Sequence, residues 1–221
     1  TAANPGVLLI GDVGWTERED LNIADKPGLN FGWPLFEGLT KSSVYTALTV
    51  YNRDAVNPLY GSGSCNKKYL EFKQLCIQDT NTATPSFPNP CNQLVQIPSS
   101  IPKFKQTGPI IDWRHNIAEA RTQIWNGTSA AQVSLADSLS PIQGNNFKGN
   151  CSIGGTWYTG NLYPAVFKNT YFHADLGEGW IKNIVFDSLN KPVSISDFAS
   201  GITNIVCMAY NPVNQSIYYV K

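Results

Sequence analysis

Charged residues are scarce in this sequence, and no cluster of basic residues stands out. They make up 14% of the 221 residues, and 16 Lys and Arg balance 16 Asp and Glu, so the formal net charge is zero. Nucleic acids and anionic membrane surfaces attract proteins through concentrated positive charge. The composition therefore argues against both kinds of partner.

Long apolar runs and the short motifs of several enzyme classes are also missing. No apolar stretch approaches the ~20 residues that a membrane-spanning helix needs. The sequence contains no P-loop, no H-E-x-x-H zinc motif and no Ser/His/Asp signature. Its five cysteines show no paired C-x-x-C spacing, so we do not expect a zinc site. The sequence thus argues against a membrane span and against these enzyme classes.

Turn-forming and aromatic residues are abundant instead, with 18 Gly, 14 Pro and 12% aromatics. Short apolar or alternating runs lie between the turns, which is typical of β-strands. Such runs occupy residues 7–10, 20–25, 205–209 and 216–220. A further run at 45–51, rich in β-branched and aromatic residues, fits either a strand or a buried loop edge. The predicted fold class is all-β.

Two stretches carry ordered motifs. The first contains Asp12-Val13-Gly14, Asp20-Leu21-Asn22, Leu29-Asn30-Phe31-Gly32-Trp33-Pro34 and Glu37-Gly38. The second contains Gly154-Gly155, Tyr163-Pro164, Tyr171-Phe172, Asp175 and Gly179. In this order the motifs resemble those of the glucose/sorbosone dehydrogenase family, which includes the soluble quinoprotein sugar dehydrogenases and the hedgehog-interacting-protein-like propellers.

The resemblance implies a β-propeller built from four-stranded antiparallel blades. The family's propeller has six blades and is longer than this chain, and the match covers its later half and nearly all of residues 1–221. We therefore expect about three blades, with missing upstream blades or another chain covering the open face. The turns at Asp12 and Asp175 belong to the same strand–turn–strand pattern, which is the kind of repeat that propeller blades show. Since the chain starts at Thr1 without a signal-like leader, we expect a processed product or a fragment.

Residues 57–102 interrupt this pattern and form a predicted insertion. The insertion is rich in proline and holds Cys65, Cys76 and Cys91, and only residues 68–75 have a helical pattern. Loops of this length are usually functional or disordered, and three cysteines favour a loop held by a disulfide. We favour the pair Cys65–Cys91, with Cys76–Cys91 as the alternative, because the sequence alone does not decide the connectivity.

Disulfide use implies an oxidising compartment, so the predicted location is secreted or periplasmic. With five cysteines, at least one thiol stays free or pairs outside this chain. Cys207 lies in an apolar run and is predicted to be buried and inert. Cys151 is the other candidate for a free thiol.

The resemblance also implies a cofactor chemistry. The family's enzymes oxidise a sugar with pyrroloquinoline quinone, Ca²⁺ polarises the quinone, and Lys and Arg side chains hold its carboxylates. The resemblance places the cofactor-binding turn at Gly14 and the acidic position after it at Glu19. It implies no catalytic residue here, because the family's catalytic His lies in an early blade. The positions of the Lys and Arg side chains fall at Gly177, Glu178 and 203–206, and none of these residues is basic.

Carboxylate and carbonyl oxygens in the first hairpin also suggest a Ca²⁺ site, because Ca²⁺ takes oxygen ligands. The candidate ligands are Asp12, Gly14, Glu19 and Asp20. The competing interpretation is structural. In it, Asp12 and Asp175 accept backbone N–H bonds within their own turns. The acids of the first hairpin then form a solvated face, with Arg18 pairing locally.

The two histidines are weak candidates for catalysis. His115 lies in a polar junction. His173 lies inside a strand, where a packed, hydrogen-bonded histidine is commoner than a catalytic one. Because the cofactor-binding cations are not matched, we favour a secreted, non-catalytic binding or structural module whose partners include glycans or proteins. The alternative is part of a pyrroloquinoline-quinone-dependent aldose dehydrogenase. A catalytic-type His in the upstream sequence would favour that alternative.

Overall fold

The computed structural model describes residues 6–78, 85–127 and 129–221. Strand accounts for 44% and helix for 6%, which confirms the all-β class. The helices are α1 (Ser43–Ala47), α2 (Phe72–Leu75) and a 3₁₀ helix (Ala165–Phe167). In the described part of the chain, no helix has the length and apolar character that crossing a membrane requires.

The strands are short and are joined mostly by tight turns. In chain order they are β1 (Leu8–Asp12), β2 (Arg18–Ala24), β3 (Phe36–Glu37), β4 (Thr40–Lys41), β5 (Tyr51–Val56), β6 (Tyr69–Glu71), β7 (Cys76–Gln78), β8 (Pro88–Asn89), β9 (Asn92–Gln96), β10 (Phe104–Gln106), β11 (Ile111–Arg114), β12 (Ala120–Trp125), β13 (Ala130–Ser134), β14 (Ser152–Tyr158), β15 (Thr170–Asp175), β16 (Trp180–Phe186), β17 (Pro192–Ala199), β18 (Cys207–Asn211) and β19 (Ser216–Val220). Across residues 6–78, 85–127 and 129–221, none of the sheets closes on itself.

The first large sheet has the strand order β1-β2-β11-β12-β13, and all of its pairs are antiparallel. Successive side chains of a strand point to opposite faces of the sheet, so the residues of β2 divide between its two faces. Glu19 and Leu21 lie on one face, and Arg18, Asp20 and Asn22 on the other. The central residues of β2 are buried on both faces, so the sheet is covered on each side.

The second large sheet has the order β14-β15-β16-β17, again fully antiparallel, and the hairpin β18–β19 follows it. Small residues allow β1 and β14 to lie close together. A Cβ atom added to Gly11 would lie 2.6 Å from the backbone nitrogen of Gly154. On its other side β14 contacts β18, where the Tyr210 backbone N–H donates to Thr156 Oγ1 at 3.2 Å. The first strands of three successive antiparallel units are thus neighbours.

Apolar cores fill the two spaces between these units. The core between the large sheets contains Leu21, Ile111, Trp113, Ala120, Leu135, Ile142, Phe147, Tyr171, Trp180, Ile184 and Ile195. The core between the four-stranded sheet and the last hairpin contains Tyr158, Phe172, Ala174, Ile181, Ile205 and Met208. Each fully buried large side chain contributes about 1.5–3 kcal/mol, so these cores fix how the sheets lie against one another.

The region from α1 to β10 forms a separate, smaller layer with its own core of Ala55, Leu70, Leu75, Phe87 and Ile97. Residues 79–84 of the predicted insertion lie outside the described part. The predicted strand or loop edge at 45–51 is instead α1, whose first turn is capped by Ser42, followed by β5. The predicted helix at 68–75 shortens to α2, because residues 69–71 pair with β5 as a strand.

The structure settles three of the cysteine predictions. Cys65 and Cys91 form a disulfide, which confirms the favoured pairing. Cys76 is free, so the alternative pairing is wrong. The prediction that Cys207 is buried is also wrong, since Cys207 is exposed at the start of the β18–β19 hairpin.

Candidate functional site

The turn between β1 and β2 is closed by a carboxylate from β3. Glu37 Oε1 accepts the backbone N–H groups of Thr16, Glu17 and Arg18 at 2.9, 2.7 and 2.9 Å. Burial raises the pKa of Glu37, but these three donors outweigh it and leave the pKa below its usual value. A Cβ atom on Gly14 would lie 1.5 Å from the Arg18 carbonyl oxygen, so the turn needs glycine there. Gly14 therefore has a structural reason to be glycine, whether or not it binds a cofactor.

Glu19 lies on the face of β2 that looks toward the four-stranded sheet, and it is fully buried. Its Oε2 accepts the Ser152 backbone N–H at 2.6 Å, and its Oε1 lies 2.7 Å from His115 Nε2. Burial raises the pKa of Glu19, and the hydrogen bonds from Ser152 and His115 oppose that rise. With both oxygens engaged, Glu19 joins β2 to β14 and to the segment after β11.

Asp12 and Asp20 lie directly opposite each other in the β1–β2 pair. Asp20 shares its face with Asn22, whose Nδ2 donates to Asp20 Oδ1 at 2.5 Å. Glu19 and Asp20 are consecutive residues of one strand and point to opposite faces, so they cannot bind the same ion. Both are buried, at 0% and 8% exposure, so the expected solvated face is wrong for them.

An ion cluster fills the same face beside Asp20. Asp112 Oδ1 accepts bonds from Arg18 Nη1 at 3.1 Å and Arg121 Nε at 3.0 Å, and its Oδ2 accepts from Arg121 Nη2 at 2.6 Å and the Leu39 backbone at 2.9 Å. Arg18 also pairs with Glu119. The expectation that Arg18 pairs locally is therefore wrong, because its partners come from β11 and the turn after it.

Asp175 organises the turn that follows β15. Its Oδ1 accepts the backbone N–H groups of Gly177 and Glu178 at 3.1 and 2.9 Å. Its Oδ2 accepts three more donors, which are the backbone N–H groups of Asn150 and Cys151 and the Trp113 indole N–H. The predicted structural role of Asp175 in its own turn agrees with these contacts, and the carboxylate also ties the turn to the first sheet.

His173 is 1% exposed and lies among aromatic rings. Its Nε2 lies 3.0 Å from Ser152 Oγ, and its Nδ1 is one of the buried polar atoms that lack a partner in the described residues. Burial lowers the pKa of His173 to about 3, so the ring is neutral at physiological pH. The predicted packed role of His173 agrees with this environment, and a substrate would have no access to the ring.

One solvent-open cavity has a volume of about 460 Å³ and is here called the aromatic cleft. Its lining residues are Asn30, Gly32, Trp33, Pro34, Leu35, Tyr45, Leu48, Val50, Asn52, Phe72, Lys73, Leu75, Cys76, Pro102 and Phe104. The Trp33 side chain is 51% exposed, and Tyr45 lies between Trp33 and Trp15 with ring centroids 5.6 and 5.5 Å away. Small-molecule sites typically have 300–1,000 Å³ and aromatic walls.

Among the described residues that line the aromatic cleft, no charged side chain is free of partners. Its charged lining residue is Lys73, whose ammonium group donates to the carbonyl oxygens of Thr46 and Leu48 and lies 3.0 Å from Glu71 Oε2. Asn30 and Asn52 also line the cleft, and their side-chain oxygens accept backbone N–H groups within local turns. The cleft therefore suits a neutral ligand with an apolar face.

A second, wider cleft of about 930 Å³ lies at the ends of β2, β12 and β17. Its lining includes Asp25, Lys26 and Lys191 together with Trp125, which is 42% exposed. Because its lining carries both acidic and basic side chains and its walls are far apart, this cleft does not indicate one class of ligand. Trp125 nevertheless provides an exposed tryptophan that does not line the aromatic cleft.

The residues do not fit the quinone cofactor that the family resemblance implies. At the turn after Asp175, Lys148 Nζ lies 2.9 Å from Glu178 Oε1, so the cation nearest this turn already faces a carboxylate. Within residues 6–78, 85–127 and 129–221 no group of three or more His, Cys, Asp or Glu side chains is placed to hold a metal ion. A tricarboxylate needs unpaired cations around it. We derive no step through this cofactor.

No protein-family model, no curated protein and no solved structure matches this chain.

Proposed function

We propose that the chain is a segment of a secreted β-propeller of the glucose/sorbosone dehydrogenase type that acts as a glycan-binding module. The strand arrangement supports the propeller. β1 lies beside β14 and β14 beside β18, and each is the first strand of an antiparallel unit. The Cys65–Cys91 disulfide supports an oxidising compartment.

The observation that carries the binding function is the aromatic cleft. Flat, exposed rings pack against the apolar faces of sugar rings, and a few polar groups then bind the hydroxyls. Trp33 and Tyr45 provide the rings, and Asn30 and Asn52 are the lining residues whose amide groups would bind hydroxyls. Because Lys73 is fully engaged, the favoured ligand is a neutral saccharide and not an acidic one.

A catalytic role receives less support, because the buried carboxylates are already engaged in structural bonds. Glu19, Asp112 and Asp175 each accept two or more hydrogen bonds from the protein itself. A general base must be within reach of a substrate proton, and these side chains are 0% exposed. A binding function needs none of them.

The open side of the assembly is where the remaining blades or another chain would lie. β1 is one edge strand of the five-stranded sheet; it lies against β14 at Gly11, but Leu8 at its start is 61% exposed. An edge strand offers unpaired backbone groups and is normally covered in a stable protein. Binding experiments are therefore best made on the longest natural form of the protein.

The test is a titration with a panel of neutral oligosaccharides built from glucose, galactose, mannose and xylose, followed by tryptophan fluorescence and calorimetry. We expect saturable binding of at least one member and a shift in tryptophan emission. The variant Trp33→Ala should weaken that binding about tenfold, which corresponds to about 1.4 kcal/mol.

Trp125→Ala is the matched control, because it removes an equally large exposed ring outside the aromatic cleft. It should leave the affinity unchanged. Absence of heat and of any emission change across the whole panel would contradict the glycan-binding proposal. An equal loss of affinity in both tryptophan variants would show that the ligand does not bind in the aromatic cleft.

A further inference from the structure

Three aromatic rings form a row that runs out of the aromatic cleft. Trp33 and Tyr45 line the cleft, whereas Trp15 does not. The Tyr45 ring centroid lies 5.6 Å from that of Trp33 and 5.5 Å from that of Trp15, so Tyr45 joins the two tryptophans. Both tryptophans are more exposed than Tyr45, at 51% for Trp33 and 58% for Trp15. This row, here called the aromatic row, continues the apolar wall of the cleft onto the neighbouring surface.

The turn that carries Trp15 is fixed on both sides of this residue. Before it, Gly14 lies so close to the Arg18 carbonyl group that an added Cβ atom would be 1.5 Å from the oxygen. After it, the next three backbone N–H groups donate to Glu37 Oε1 at 2.9, 2.7 and 2.9 Å. A preorganised surface loses little conformational freedom when a ligand binds. Trp15 therefore presents its ring from a backbone that is already in place.

Packing within the protein does not account for the exposure of Trp15. Among the described aromatic rings, Tyr45 is the one that contacts it. The core tryptophan Trp113, by contrast, is 1% exposed and contacts the rings of Phe147 and Trp180. A continuous apolar surface that stays in solvent beside a cleft is typical of a binding site. Trp15 thus adds accessible apolar surface to the cleft and little to the core.

The charge around Trp15 matches that of the cleft. Its chain neighbours Gly14 and Thr16 are uncharged. The Glu37 carboxylate is directed at the backbone N–H groups of the turn, and these donors hold the pKa of Glu37 below its usual value. In the cleft itself, Lys73 is engaged with two carbonyl oxygens. The whole aromatic row therefore suits one neutral ligand.

We propose that Trp15 is an outer subsite of the aromatic cleft, so that the ligand is a linear neutral oligosaccharide and not a single sugar. This inference rests on the proposed glycan-binding function. One sugar unit packs on Trp33 inside the cleft, and the chain continues past Tyr45 to place a further unit on Trp15. Flat aromatic side chains offer large apolar faces, so each sugar unit that reaches a ring adds to the affinity. A single sugar would leave Trp15 in solvent.

The test is calorimetric titration of the longest natural form of the protein with linear oligosaccharides of one to six units, built from glucose, galactose, mannose or xylose. We expect the affinity to rise at least about tenfold from the shortest member that binds to the tetrasaccharide, because the longer chain reaches Trp15. Trp15→Ala should weaken tetrasaccharide binding about three- to tenfold and leave the affinity for the shortest binding member within about twofold.

Two variants are the controls. Trp15→Phe keeps an aromatic ring and should retain the dependence on chain length. Trp125→Ala removes an exposed ring outside the aromatic row and should bind every oligosaccharide as the unmodified chain does. Because the length series is measured first on the unmodified protein, it decides the question even if Trp15→Ala fails to fold.

The outcomes separate this inference from the function on which it rests. Equal affinities for the shortest binding member and the tetrasaccharide would overturn the outer subsite, and so would an undiminished tetrasaccharide affinity in Trp15→Ala. Either result would leave glycan binding in the aromatic cleft intact. No binding of any oligosaccharide would contradict both the outer subsite and the proposed function.

Discussion

Two regions of this molecule differ in whether their side chains already have partners. One is the set of polar groups buried between and beside the large sheets, and the other is the aromatic cleft. Between and beside the large sheets, buried carboxylates such as Glu19 and Asp175 accept several bonds each from the protein. In the aromatic cleft, Trp33 is half exposed and its ring has free surface. Groups that are already paired hold the fold together, whereas unpaired apolar surface is available to a ligand. The predictions below test this division.

The largest expected effect comes from the buried ion cluster. Asp112→Ala would leave the guanidinium groups of Arg18 and Arg121 without their main partner. Removing one member of a buried ion pair typically costs about 3–5 kcal/mol. Urea unfolding should show this loss in the free energy of unfolding. Asp54→Ala, which removes an exposed aspartate, should change it by less than about 0.5 kcal/mol. Similar losses in both variants would contradict the structural role of the cluster.

The disulfide stabilises the small layer, and residues of that layer line the aromatic cleft. Cys65 and Cys91 are 26 residues apart, and opening a loop of that length costs about 3 kcal/mol. Phe72 and Leu75 of this layer line the cleft. The variant Cys65→Ser/Cys91→Ser should therefore lose both stability in urea and saccharide affinity. If stability falls while affinity stays unchanged, the cleft does not depend on this layer.

The buried histidine predicts a pH dependence of stability. Burial lowers the pKa of His173 to about 3, from an ordinary value near 6.5. The folded state holds the neutral ring, so the stability it contributes is present above about pH 6.5 and is lost as the pH falls toward 3. The slope from this group is at most about 1.4 kcal/mol per pH unit. Urea unfolding between pH 4 and 7.5 should show a flatter profile for His173→Phe. Identical profiles would contradict the assignment.

A smaller effect is expected from the Tyr45 ring, which contacts Trp33 of the aromatic cleft and Trp15 beside it. Tyr45 contacts the rings of Trp15 and Trp33, and its own exposure is intermediate. Tyr45→Ala should weaken saccharide binding about three- to tenfold, because each aromatic contact contributes about 0.5–1.5 kcal/mol. Tyr45→Phe keeps the ring and should bind within about twofold of the unmodified chain. An equal loss in both variants would show that the hydroxyl, and not the ring, makes the contact.

No effect is expected from pyrroloquinoline quinone. The turn at Gly177 and Glu178 offers a lysine, Lys148, that is already paired. Titration of the longest natural form with this quinone and Ca²⁺, followed by dye reduction with aldose sugars, should give neither saturable quinone binding nor reduction. Saturable binding with sugar-dependent reduction would establish the dehydrogenase alternative and reverse the assignment made for the buried carboxylates.

Local chemistry was predictable from the sequence where short-range patterns decide it. The alternation around Leu21 predicts the strand β2, and the run at 205–220 predicts the hairpin β18–β19. The Asp175 turn follows from the preference of aspartate for backbone N–H groups two and three residues on. The disulfide was favoured correctly, but only among alternatives that the sequence could not separate.

Long-range partners were not predictable, and they decide the roles of the charged residues. Glu19 is bound by Ser152 across 133 positions of the chain, and Arg18 by Asp112 across 94. In a single sequence these acids and bases look like a solvated hairpin. The segment at 45–51 was ambiguous for a related reason. Its β-branched and aromatic residues favour a strand, yet the Ser42 cap and the contacts of Tyr45 favour a helical turn.

The most direct test of the division is a paired measurement on two variants, Glu19→Gln and Trp33→Ala. Both the free energy of unfolding in urea and the saccharide dissociation constant are measured for each. The account predicts that Glu19→Gln lowers stability and leaves affinity unchanged, while Trp33→Ala weakens binding and leaves stability within about 1 kcal/mol. Loss of saccharide binding in Glu19→Gln at unchanged stability would contradict the account and place the function at the buried carboxylates.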